Sequence, residues 1–237
     1  MIDDDLLQDF IQRFYGYGNY QARFWFIGME EGGGQTLDEI ARRIAAWDRR
    51  GRQELEDVAE YHHAVGIDHL FGNRPKLQLT WSKLIRIALA AEGRVCDTEA
   101  IRQYQATALG RHDSDNCLLE LMPLPSRNTG TWLFGDGSAL PFLTNREAYL
   151  ARVAPQRVAH LQASLARSRP RAVIFYGQQY QPYWTQIARL PGWQTSPAGV
   201  TYGVRDNVLF VSATHPAARG VTNAYFENVG RLIASYF

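Results

Sequence analysis

The chain has 237 residues, of which 46% are hydrophobic and 21% charged, a balance that is typical of a folded globular protein and excludes intrinsic disorder. The net charge is +1, so a nucleic-acid partner would have to be held by a local patch and not by a generally basic surface. The two cysteines, Cys96 and Cys117, are too few for a disulfide framework or a four-cysteine metal or iron–sulfur site. We therefore expect no metal and no cofactor.

Three aspartates at positions 3–5 make the N-terminus unlike a signal peptide, and no apolar stretch approaches the length that spans a membrane. We expect a cytoplasmic protein with no membrane contact. The sequence contains no internal repeat and no low-complexity linker, so it predicts a single domain over residues 1–237 that acts as a monomer.

The first strong signal is the run 24–27, four bulky apolar residues without alternation, which predicts a strand buried on both faces. Gly28, two carboxylates and three glycines follow it directly. Thr36 and Glu39 then form a capping box that predicts a helix. Ligands bind beyond the carboxyl ends of such strands, so a carboxylate beside these glycines is a candidate catalytic group.

The next segments carry weaker signals. The charged residues 48–60 predict a solvated helix face, with a phosphate-binding patch at Arg49, Arg50 and Arg52 as the alternative. Three histidines at positions 62, 63 and 69 fit no zinc spacing and are interpreted as surface residues. A helix is predicted to begin at Thr80 and to end at Gly93.

Three further apolar runs predict strands at 117–122, 172–176 and 208–211, separated by helical patterns. The first leads into a proline-rich loop over 123–132, and Thr144 with Glu147 predicts the start of the following helix. A hairpin is predicted to join 200–204 to 207–213. The fold class is therefore α/β: a three-layer α/β/α sandwich with a four-stranded, mostly parallel sheet.

Polar segments follow all four predicted strands, at Glu30, in the loop 123–132, at Tyr176-Gly177 and at His215. Because the carboxyl ends of parallel strands meet at one edge of a sheet, these segments are expected to share a cleft.

The same segments resemble the uracil-DNA glycosylase superfamily over most of the chain, from about residue 24 onward. Members have a first motif such as G-Q-D-P-Y-H or G-E-A-P-G, which Gly28-Met29-Glu30-Glu31-Gly32 resembles. They have a last motif such as H-P-S-P-L-S, which 215–220 resembles, and a strand ending in an aromatic residue and glycine, which 175–177 resembles. The resemblance implies a uracil-DNA glycosylase-like fold and a DNA partner.

The resemblance also implies roles for individual residues. Glu30 and His215 would be catalytic, with the carboxylate stabilising the sugar cation and the imidazole stabilising the departing base. It implies further substrate contacts at Gly28, Met29, Glu31, Gly32, Phe71, Glu120 and Tyr176, with Trp81 and Trp132 competing with Phe71 to stack on the base. It implies contacts with DNA at Ser126, Arg127, Asn128, Trp132, Pro216, Arg219 and Gly220.

The chain departs from the family pattern at Glu31, where members have proline, at Ala217, where members have serine, and at Glu120, where an asparagine reads the base. We therefore expect a monofunctional DNA glycosylase that excises a modified or damaged pyrimidine in place of plain uracil. One such base is the hypermodified cytosine of bacteriophage DNA, whose excision would serve antiviral defence. Excision of a damaged pyrimidine would instead serve DNA repair. The alternatives are a non-catalytic nucleic-acid- or nucleotide-binding protein of this fold and a hydrolase of free nucleosides or nucleotides.

Overall fold

The computed structural model describes residues 2–126 and 130–237. Its helices are α1 (Asp4–Arg13), α2 (Leu37–Arg49), α3 (Val58–Ala64), α4 (Leu79–Ala91), α5 (Thr98–Thr107), α6 (Phe134–Gly137), α7 (Arg146–Ser168), α8 (Gln181–Ala188) and α9 (Asn223–Ala234). Its strands are β1 (Gly16–Tyr17), β2 (Phe24–Glu30), β3 (Leu55–Glu56), β4 (Asn116–Met122), β5 (Ala172–Tyr176), β6 (Gln194–Thr195), β7 (Thr201–Arg205) and β8 (Val208–Ala213).

The protein is α/β, with a mixed sheet flanked by helices. Within the described residues the sheet has eight strands in the order β3-β1-β4-β2-β5-β8-β7-β6. The four strands predicted from apolar runs, β4, β2, β5 and β8, lie together at its centre and are mutually parallel. The predicted number of strands, four, is too low. Strands β1, β3 and β6 have only two residues each, which is too short for a recognisable sequence pattern.

The parallel strands are buried because helices cover the sheet. Every residue of β5 and β8 is buried, as is all of β2 before Glu30. Helix α7 packs against β4, and α4 packs against α9, which also contacts β8. The unalternated apolar runs therefore reflect burial on two faces, as the sequence predicts.

The register of β4, β2 and β5 brings three polar or small residues to the same level of the sheet. Gly28 of β2 is paired with Glu120 of β4, and Ile27 is paired with Phe175 of β5, so Tyr176 lies beside Gly28 on the other flank. Side chains at the same register of adjacent strands point to the same face. Glu120, Gly28 and Tyr176 thus form one row across the sheet, near its carboxyl edge.

The helix starts confirm one sequence prediction and shift two. Thr36 caps α2 by accepting from the backbone N–H of Glu39, and the Glu39 carboxylate reaches back to the N–H groups of Gly34 and Gln35. Helix α4 begins at Leu79, one residue before its predicted start. Helix α7 is capped by Asn145 and not by Thr144, because asparagine is the stronger acceptor at this position.

The charged segment 48–60 is not a solvated helix face. It contains the end of α2, a turn, β3 and the start of α3. Arg50 pairs with Glu56 and Glu60, and Arg52 pairs with Asp9 and Asp48. These ion pairs join segments of the fold, so both cations are already neutralised. The segment also begins at the far end of α2, about 20 Å along the helix from the glycine turn.

The C-terminal hairpin is confirmed. Strands β7 and β8 are antiparallel, and Asp206 and Asn207 form the turn with positive φ angles of 53° and 62°. No helix in the described part of the chain is long and apolar enough to cross a membrane.

Candidate active site

A cavity of about 380 Å³ opens at the carboxyl edge of the parallel strands. The turn after β2, the end of β4, the end of β5 and the segment after β8 all contribute to its wall, as do α3 and α4. Its lining residues are Met29, Glu30, Glu31, Gly32, Arg43, His62, Ile67, Leu70, Gln78, Thr80, Trp81, Glu120, Ser126, Tyr176, Gln179, Tyr180 and His215. The sequence prediction that Glu30 and His215 face one cleft is therefore confirmed.

Glu30 is the last residue of β2, and its side chain is 10% exposed. Arg146, at the start of α7, donates from Nη2 to Glu30 Oε2 at 2.6 Å. Burial raises the pKa of Glu30 above its usual value, and the hydrogen bond from Arg146 opposes that rise. Oε1 accepts no hydrogen bond from any described residue, which leaves it for a group inside the cavity. No pattern in the sequence indicates a role for Arg146.

His215 follows β8 and is held in one tautomer by its own turn. The backbone N–H of Ala217 donates to His215 Nδ1 at 3.1 Å, so the proton of the neutral ring is on Nε2. Burial lowers the pKa of His215, which favours the neutral ring. The imidazole is therefore a hydrogen-bond donor that carries no charge.

Glu120 and Tyr176 form a bonded pair in the cavity wall. Tyr176 Oη donates to Glu120 Oε1 at 2.8 Å, across the strand that lies between them. Glycine is needed on that strand, since a Cβ at Gly28 would lie within 3.0 Å of both Tyr176 Oη and Glu120 Oε2. Glu120 Oε2 is shielded from solvent and has no partner among the described residues. Burial raises the pKa of Glu120 to about 8, so the neutral acid prevails at neutral pH.

Glu31 is held by two donors. Tyr17 Oη donates to Glu31 Oε2 at 2.9 Å, and Arg43 Nη1 donates to Oε1 at 3.1 Å. Arg43 reaches this position from α2, where it also pairs with Glu39. The carboxylate is thus oriented and its charge balanced, unlike Glu30, which has one donor.

His62 is the main residue that sequence reasoning misplaced. It was interpreted as a surface histidine, but it is 2% exposed and lines the cavity, whereas His63 and His69 are exposed. Its Nδ1 donates to the carbonyl oxygen of Val58 at 2.7 Å, so Nε2 carries the lone pair. A helical pattern over α3 would have been the available signal, but the helix has only seven residues.

The aromatic residues that were candidates to stack on a base lie at different distances from the cavity. Phe71 is buried behind the cavity, with its ring 5.5 Å from His62 and 5.8 Å from Trp81. Trp81 itself lines the cavity, as does Tyr180 from the segment after β5. Of the three candidates Phe71, Trp81 and Trp132, Trp81 is the one that lines the cavity. Phe71 supports it from behind.

The residues expected to contact DNA divide into three groups. Trp132 is bound into the fold, since its indole donates to the carbonyl oxygen of Leu143 at 2.6 Å, and Pro216 is buried. Trp132 is half-buried, and DNA contacts at Trp132 and Pro216 stay predictions. Arg219 and Gly220 are exposed, and Ser126 lines the cavity. Predicted contacts at Arg127 and Asn128 lie outside the described residues.

Among the described residues, no group of three or more His, Cys, Asp or Glu side chains is arranged to hold a metal ion. Comparison with protein-family models and with characterised proteins found no match for the chain.

Proposed function

We propose that the protein is a monofunctional DNA glycosylase with a uracil-DNA glycosylase-like α/β/α fold, which hydrolyses the N-glycosidic bond of a modified pyrimidine. The observation that carries the proposal is the presence of Glu30 and His215 in one cavity at the ends of two parallel strands. The enzyme would act as a cytoplasmic monomer without a metal or cofactor.

Glu30 supplies the negative charge that this chemistry needs. When the bond from C1′ to the base breaks, positive charge develops on the sugar, and a carboxylate beside it lowers the barrier. The free Oε1 also positions a water, whose oxygen bonds to C1′ while one of its protons passes to Glu30 and from there to solvent. The hydrogen bond from Arg146 favours the ionised form of Glu30 and so opposes the effect of burial on its pKa.

His215 acts on the other product. The base departs with the bonding electron pair, so negative charge accumulates on its ring. A neutral imidazole with its proton on Nε2 donates a hydrogen bond to this anion and does not itself gain charge. The base is then protonated by solvent, which completes the hydrolysis.

A base must leave the DNA stack to reach such a cavity. Trp81 and Tyr180 offer aromatic surfaces for it, and the cavity volume of about 380 Å³ exceeds the needs of an unsubstituted pyrimidine. Glu31 and Glu120 stand where members of the superfamily that the chain resembles have a proline and the asparagine that reads the base. A 5-substituted cytosine, such as the hypermodified base of phage DNA, is therefore the proposed target.

The experiment is a base-release assay on oligonucleotides that each contain one test base, read as strand cleavage at abasic sites after alkali. The test bases are uracil, 5-hydroxymethylcytosine, glucosylated 5-hydroxymethylcytosine and 5-hydroxymethyluracil, each in single-stranded and double-stranded DNA. The corresponding free nucleosides are assayed in parallel. Glu30→Gln should lower release at least about a hundredfold, because the amide carries no charge for the sugar cation. Glu147→Gln, at an exposed carboxyl next to Arg146, is the matched control and should retain full activity.

Release from nucleosides but not from DNA would support a nucleoside hydrolase. DNA binding without release of any base would support a non-catalytic binding protein. Efficient release of uracil with inertness towards modified cytosine would overturn the proposed substrate and favour a repair enzyme.

A further inference from the structure

One end of the cavity presents two hydrogen-bond acceptors side by side. His62 Nε2 and Glu31 Oε1 are 3.8 Å apart, too far for a hydrogen bond between them. Both residues line the cavity, and His62 Nε2 has no donor among the described residues. His62 is 2% exposed and lines the cavity, so a group that occupies the cavity is expected to supply the partner of Nε2.

The two acceptors are held in place by the fold. Val58 fixes the tautomer of His62 through Nδ1, and the rings of Trp81 and Tyr17 lie 5.3 and 5.6 Å from the imidazole. Tyr17 also donates to Glu31, so one side chain orients both members of the pair. The site is therefore formed before a ligand arrives.

The charge state of the site favours a neutral donor. Burial lowers the pKa of His62, and although the carboxylate of Glu31 opposes that shift, the guanidinium of Arg43 and the neighbouring His63 add to it. The imidazole thus keeps its lone pair. Arg43 already balances the charge of Glu31 at 3.1 Å, so the site does not require a cationic ligand.

A single nitrogen that carries two N–H bonds fits this arrangement. Placed about 2.9 Å from each acceptor, such a nitrogen bridges a separation of 3.8 Å with both hydrogen bonds only moderately bent. A carbonyl oxygen in the same place would face two lone pairs and would make neither bond. Cytosine-type bases carry an exocyclic amino group at ring position 4, where uracil and thymine carry a carbonyl oxygen.

We propose that His62 and Glu31 select the exocyclic amino group of a cytosine-type base and reject the corresponding carbonyl of a uracil-type base. The inference rests on the proposed function, whose catalytic residues are Glu30 and His215. It assigns to His62 a role in specificity and none in bond cleavage.

The direct test compares two oligonucleotides that differ only at ring position 4, one with 5-hydroxymethylcytosine and one with 5-hydroxymethyluracil. The wild-type protein should release the cytosine-type base at least about tenfold faster, because the uracil-type base leaves two acceptors unpaired. His62→Phe keeps the ring and its packing but removes the lone pair, so the ratio should fall towards one. His63→Phe changes the exposed neighbour that pairs with Asp68 and should leave the ratio unchanged.

The experiments distinguish an error in the inferred base preference from an error in the proposed glycosylase activity. Equal or faster release of 5-hydroxymethyluracil would overturn the inference and leave the glycosylase intact. If no oligonucleotide is cleaved, the glycosylase is wrong, and calorimetric titration with 2′-deoxycytidine and 2′-deoxyuridine then decides the inference by itself. Preference for 2′-deoxycytidine that His62→Phe abolishes would support it; equal binding, or binding of neither, would overturn it.

Discussion

Glu120 and Tyr176 belong to strands that are not neighbours, yet their side chains are hydrogen-bonded at 2.8 Å above the glycine of the strand between them. The pair closes the floor of the cavity. It depends on the absence of a side chain at Gly28, which explains why an otherwise bulky apolar strand contains glycine at this position.

Gly28→Ala should therefore disrupt the pair. The added Cβ would lie within 3.0 Å of both partners, and the sheet on either side leaves little room for adjustment. We expect the free energy of unfolding to fall by about 1–3 kcal/mol, as for other overpacked core positions. Chemical denaturation measures this. Gly192→Ala, where a Cβ meets nothing within 4 Å and φ is not positive, is the control and should be nearly neutral.

The raised pKa of Glu120 makes stability depend on pH. At pH values below 4.5 the carboxyl is protonated in both folded and unfolded chains; between there and about 8 only the folded chain keeps the proton. The contribution of Glu120 to the free energy of unfolding is thus greatest at low pH and declines as the pH rises through this window, by at most about 1.4 kcal/mol per unit.

Glu120→Gln removes this contribution, because the amide cannot ionise. Relative to wild type, the variant should gain stability as the pH is raised from about 5 to about 8, in urea titrations at several pH values. The exposed Glu147→Gln variant should run parallel to wild type. A constant difference between wild type and Glu120→Gln would show that Glu120 is ionised throughout the window.

Arg146→Met should change the pH dependence of activity. Burial raises the pKa of Glu30 and the hydrogen bond from Arg146 opposes it, so loss of that bond raises the pKa further. Because the ionised form stabilises the sugar cation in the proposed mechanism, the acidic limb of the rate profile should move to higher pH. Single-turnover rates across pH measure the shift. Arg152→Met, at an exposed arginine of the same helix, should leave the limb in place.

DNA binding should depend on few cations. Arg219 is exposed and lies four positions after His215, which lines the cavity. Arg219→Ala should weaken binding to all DNA sequences about equally and lower the slope of log affinity against log salt by about 1. Arg49→Ala, at the far end of α2, tests the alternative that Arg49, Arg50 and Arg52 bind phosphate. It should change neither the affinity for DNA nor the salt slope. The opposite pattern in fluorescence anisotropy titrations would place the DNA on that other surface.

The sequence by itself determined the central strands and the edge at which chemistry-bearing residues meet. An unalternated apolar run reports burial on both faces, and the glycine- and proline-rich segments after these runs report where each strand stops. Because the four strands are parallel, these segments had to gather at one edge. Glu30 and His215 were found in this way, and so was the approximate place of Glu120.

Only the tertiary structure decided which side chains contact one another there. Glu30 is paired with a residue 116 positions later, and Glu120 with one 56 positions later. His62 lies in a short helix that the sequence left unassigned, and its burial depends on Trp81 and Tyr17, which come from distant segments. Local patterns carry no information on such pairs, because hydrogen bonding and burial depend on distances in space, which packing alone sets.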